Sequence, residues 1–139
     1  GGHPAFMCPV DGKGKQSEYY FKFDTDKDLT YGLVADDGQG LMGQQKDVLP
    51  VKSGYAQITE HLFDRDALID KKPYVTLSFD APLFGLWSPA GKGAPFICIE
   101  PWYGRCDRTT FDGSLEQREY GNTLQAGGGF RREYTITVE

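Results

Sequence analysis

Phe96-Ile97-Cys98-Ile99-Glu100-Pro101-Trp102 reads as a strand built around a carboxylate. Successive side chains of an extended chain alternate faces, so Phe96, Cys98, Glu100 and Trp102 share one side while Ile97 and Ile99 share the other. The aliphatic side suits a packed core. The opposite side sets an acid among aromatics, where an ionised carboxylate is costly unless it is paired, hydrogen-bonded or placed at a cleft. A sugar pocket has this composition, because a pyranose offers C–H faces to rings and hydroxyls to carboxylates. The plainer alternative is a glutamate at the end of a strand Phe96 to Glu100, held in an ion pair or reaching solvent.

Working outward, the rest of the chain repeats the same grammar. Short β-type runs alternate with Gly, Pro, Asn and Asp turns, and no helical periodicity extends beyond about ten residues. Strands are predicted over Tyr19 to Phe23, Leu29 to Val34, Tyr55 to Thr59, Tyr74 to Phe79, Leu83 to Trp87, Phe96 to Glu100 and Tyr134 to Val138. The last has the cleanest alternation, with Tyr134, Ile136 and Val138 against Thr135 and Thr137. Ala35-Asp36-Asp37-Gly38 is a predicted hairpin tip, and Gly127-Gly128-Gly129 a flexible lead-in to the final strand. The fold class is all-β. At 139 residues, one domain accounts for the whole chain.

Composition narrows the function classes. A net charge of −5 with no Lys/Arg run argues against a nucleic-acid surface, which needs a basic footprint. No apolar run approaches the roughly 20 residues of a membrane helix, and the first residues lack the layout of a signal peptide. Cys8, Cys98 and Cys106 match neither a CxxC metal pattern nor a disulfide framework, so they read as free thiols of a cytoplasmic protein. Cys98 within its apolar run reads as a small hydrophobe. The acids Asp64, Asp66 and Asp70 lack the glycine and terminal glutamate of a calcium loop. The glycine triplet is followed by strand rather than helix, which argues against a phosphate cradle. No metal or cofactor is expected.

A second stretch, Gly1-Gly2-His3-Pro4-Ala5-Phe6, gives these readings a common frame. Together with FICIEPWYG at 96–104, followed by Asp107, it resembles the aldose 1-epimerase (galactose mutarotase) superfamily, most closely its LacX-type branch. The stretch Asn122 to Glu139 is similar to the closing strand of the same fold. The resemblance implies a galactose mutarotase-like β-sandwich, or supersandwich, that is incomplete: the family's domain is longer and carries the histidine motif near its middle. The chain then corresponds to the C-terminal portion, lacking a missing N-terminal portion that carries a substrate-binding Arg and a further His. Activity of the fragment alone is doubtful on that basis. Exposed strand edges would instead favour a homodimer.

Carried over by motif, Glu100 takes the place of the family's general base and His3 that of its general acid, acting on a monosaccharide such as an aldohexose. Asp66 matches a substrate-binding aspartate, with a solvated loop acid as its alternative. Trp102 and Trp87 suit stacking platforms, with core packing an equal alternative for Trp87. Aromatic neighbours such as Phe96 and Trp102 favour a more basic carboxylate at Glu100, and imidazole titrates near neutrality. The pair is expected on opposite walls of one cleft. A phosphorylated substrate is disfavoured, because no Arg or Lys cluster accompanies the two motifs in sequence. The rival function is a non-catalytic carbohydrate-binding β-sandwich, which keeps the aromatics and turns nothing over.

Overall fold

The computed structural model describes residues 1–35, 39–58, 74–89 and 92–139. These residues contain β1 (Ala5–Met7), β2 (Tyr20–Lys22), β3 (Leu29–Val34), β4 (Met42–Leu49), β5 (Tyr55–Gln57), β6 (Val75–Phe79), β7 (Leu83–Trp87), β8 (Phe96–Trp102) and β9 (Tyr134–Val138). Two single 3-10 turns, Gln16–Glu18 and Leu115–Gln117, complete the elements, and no α-helix occurs among the described residues. The all-β reading therefore holds. Among the described residues, no helix is long and apolar enough to cross a membrane.

Every pairing between these strands is antiparallel. One sheet has the order β1-β8-β7, and three two-stranded ribbons pair β2 with β5, β3 with β4 and β6 with β9. The bounds of β3, β7 and β9 match the sequence expectation, while β8 continues two residues past Glu100 through Pro101 to Trp102. Proline has no N–H to give a ladder. Pro101 is tolerated because β8 meets β1 only from Phe96 to Cys98, leaving Pro101 paired with Phe84 of β7 alone.

The sheet lies with its aliphatic side on the β2–β5 ribbon. Ile97 packs with Cys8, Phe21 and Ile58, and Ile99 and Leu86 close over this cluster. A second cluster, Leu49, Val51 and Ala56, packs against Leu29 and Tyr31 at the foot of the β3–β4 hairpin. Phe23 and Leu86 touch both clusters and join them into one core. Burial pushes the Cys8 thiol up to about 12, which leaves it an inert core group. The Gln16 amide pins the first 3-10 turn to the start of β8, donating to the carbonyls of Ala94 at 2.6 Å and Phe96 at 2.8 Å.

Two strands escape the sequence reading, and each for a physical reason. β4 includes the polar run Gln44-Gln45-Lys46-Asp47 and is exposed along most of its length, so no alternation marks it. It is held by cross-strand pairs with β3, among them Tyr31 Oη donating to Asp47 Oδ2 at 3.2 Å. β1 is only three residues long and gains its place from β8 rather than from its own pattern. The alternation of β9 is real but does not bury a face: all five residues are exposed, with Val75, Leu77 and Phe79 of β6 opposite Val138, Ile136 and Tyr134.

Candidate functional site

The ladder between β7 and β8 builds the site. Trp102 pairs with Leu83, Glu100 with Gly85 and Cys98 with Trp87, while Ala5 of β1 faces Cys98 from the other side. His3 lies two residues before Ala5, so chain alternation brings it to the same face. The face of β8 opposite the core therefore gathers His3, Trp87, Cys98, Glu100 and Trp102.

Glu100 is 4% exposed, and both carboxylate oxygens are engaged. Trp102 Nε1 donates to Oε2 at 3.1 Å, and His3 Nε2 lies 3.1 Å from Oε1. β8 runs two residues beyond Glu100, so the carboxylate stands within the strand and does not reach solvent. Its partner across the cleft face is His3, whose side chain is 63% exposed against 6% for that of Glu100. The geometry corrects the expectation of opposite walls: acid and base touch directly, and no ring fits between them while they do.

Gly85 is what lets the indole of Trp102 reach Glu100. A Cβ at Gly85 would come within 2.5 Å of Cζ2 of Trp102, a distance that forces the ring away. Gly85→Ala is expected to destabilise the protein by about 1–3 kcal/mol through overpacking. A urea melt checks it, and an unchanged midpoint would place the indole elsewhere.

Trp87 is 46% exposed and meets His3 edge-on with ring centroids 6.0 Å apart. It also tilts against Phe96 at 6.1 Å, so it forms a cleft wall and not part of the core. Cys98 is buried at 1% exposure, and burial together with the Glu100 carboxylate raises its thiol above the ordinary range. Cys98, read from sequence as packing alone, sits within reach of both His3 and Glu100. The signal was its spacing of two residues from Glu100.

His3, Trp87, Glu100 and Trp102 line an open cleft of about 1380 Å³, whose other walls are the β3–β4 hairpin and the segment 103–122. Arg105, Arg108 and Arg118 also line it. The folded chain therefore does assemble a basic cluster that the linear sequence hides, although acids neutralise much of it. Glu119 contacts both Arg105 and Arg108, and Arg118 Nε donates to Asp107 Oδ1 at 2.9 Å. Asp107 also accepts from Met42 N through its carbonyl at 2.8 Å, tying the segment after β8 to β4. The predicted site residue Asp66 lies outside the described residues, as do Asp64, Asp70 and Asp36 to Gly38 of the predicted hairpin tip.

His3, Glu100 and Trp102 are thus brought together in one cleft. Neither a family model, nor a curated protein, nor a solved structure matches this chain.

Proposed function

We propose that the cleft interconverts the α and β anomers of a free aldose by acid/base opening and closing of the ring. The observation that carries this reading is a buried carboxylate on a strand face beside an exposed imidazole, with indoles on either side. The likeness of the two motifs to aldose 1-epimerases supports it, and the packing of the β1-β8-β7 sheet on the β2–β5 ribbon fits a mutarotase-like sandwich. The three free cysteines fit a reducing cytoplasm.

Chemistry begins with displacement of His3 from Glu100. The His3 side chain is exposed and can swing aside into solvent, and the buried Glu100 carboxylate then accepts the sugar hydroxyl in its place. Glu100 takes the proton from the anomeric hydroxyl, the C1–O1 bond becomes a carbonyl, and the C1–O5 bond breaks as His3 protonates O5. Rotation about C1–C2 presents the other carbonyl face. Closure reverses each transfer: O5 attacks C1, His3 recovers its proton and Glu100 returns one to O1. Both groups end as they began, and no cofactor takes part. Trp102 orients the carboxylate, and Trp87 offers a ring face to the sugar's C–H surface.

Polarimetry of freshly dissolved α-anomers tests the reading. The protein is expected to speed equilibration of a free aldose above the buffer rate. Binding of the sugar with no acceleration would favour the carbohydrate-binding alternative instead.

A further inference from the structure

The sugar chemistry uses His3 and Glu100 but leaves Cys98 without a role. A ring nitrogen of His3, the sulfur of Cys98 and a carboxylate oxygen of Glu100 all lie within 4.8 Å of one another. Zinc bonds of about 2.0 Å to nitrogen or oxygen and about 2.3 Å to sulfur place tetrahedral ligands roughly 3.3–3.8 Å apart. Closing on an ion therefore asks for changes of at most about 1.0–1.5 Å in any of these separations. The exposed His3 side chain can supply most of that movement, while Cys98 and Glu100 stay fixed on β8.

We propose that His3, Cys98 and Glu100 form a binding site for a zinc-class divalent ion, with a fourth position open to the cleft. The donor set selects the metal class. Thiolate, imidazole and carboxylate together suit zinc and its neighbours, whereas magnesium and calcium take oxygen ligands. The indole N–H of Trp102 occupies Oε2 of Glu100 and leaves Oε1 turned toward His3, the orienting role that outer partners play around metal ligands. Binding releases the Cys98 proton to solvent, and the dication then meets one thiolate, one carboxylate and a neutral imidazole. The ion holds the same nitrogen and oxygen that the ring-opening step needs, so occupancy switches that step off. This last consequence rests on the epimerase reading; the metal site itself does not.

Cobalt(II) titration of the full chain, followed by the thiolate-to-cobalt charge-transfer band, tests the site. Wild type is expected to give the band with one-to-one saturation and to lose it on adding zinc. Cys98→Ser is expected to abolish the band. His3→Ala, at a side chain that is 63% exposed and with the fold checked by circular dichroism, is expected to weaken cobalt binding by about tenfold or more. Absence of a thiolate band in wild type at excess cobalt overturns the proposal, as does a band that survives in Cys98→Ser or binding unaltered in His3→Ala. Zinc inhibition of mutarotation that is reversed by chelator and missing in Cys98→Ser would support the switch. A cobalt band without any mutarotation supports the metal site and removes only the sugar reading, whereas mutarotation without the band does the opposite.

Discussion

Glu100→Gln is expected to lower the catalysed rate of anomer interconversion by ~10²- to 10⁴-fold, the span that a positioned proton transfer contributes. The substitution keeps the shape of the side chain and an oxygen for Trp102 Nε1 to donate to, but an amide takes no proton at neutral pH. Stability is expected to change by about 1 kcal/mol, the difference between a charged and a neutral hydrogen bond. The combination matters: a large loss of rate with a preserved fold, seen by circular dichroism and urea melting, assigns Glu100 a chemical role. A site that only binds sugar has no reason to respond this way. Equal rates for the two proteins would remove Glu100 as the base.

Phe21→Ala is expected to cost about 3–5 kcal/mol, the usual price of emptying a buried aromatic site. Phe21 is 6% exposed and stands where the β2–β5 ribbon meets Ile97 of β8, beside Cys8 and Ile58. Its ring tilts against Phe23 with centroids 6.0 Å apart, and Phe23 reaches both halves of the core. Typical stabilities of about 5–15 kcal/mol leave little after such a loss. The urea midpoint should fall steeply, whereas Ile136→Ala on the exposed β9 should change the stability by only about 0.5 kcal/mol and leave the midpoint nearly in place. Similar shifts for the two variants would show that the sheet and the ribbon do not share this core.

The parts of the fold that were legible are those where burial writes a period into the chain. Ile97 and Ile99 turn to the core and Glu100 and Trp102 to the cleft because β8 has one aliphatic side and one that mixes aromatics with an acid, and that alternation is visible in seven residues. β4 was invisible for the converse reason: a ribbon exposed along most of its length has nothing to alternate about. β9 is the instructive case, since Tyr134, Ile136 and Val138 alternate cleanly and still remain exposed. A period of two records the strand, not what covers it.

The site was legible residue by residue but not in its assembly. Glu100 stood out as an acid among apolar neighbours and His3 by its motif, yet nothing in the linear order places them 3.1 Å apart. That contact depends on β1 pairing with β8, which joins residues 89 to 93 positions apart. The same long-range assembly puts Arg105 and Arg118 on the cleft wall and Cys98 beside the acid/base pair. Gly85 was silent in the sequence because its importance lies in the indole that crosses it.

One sample can decide between turnover and binding. Exchange NMR of an aldose labelled with ¹³C at C1 reports the α-to-β exchange rate from cross peaks and sugar binding from line broadening in the same tube. The acid/base account predicts that wild-type protein raises the exchange rate well above buffer, and that the increment vanishes in Glu100→Gln while broadening persists. Broadening by wild type with exchange no faster than in buffer would contradict it.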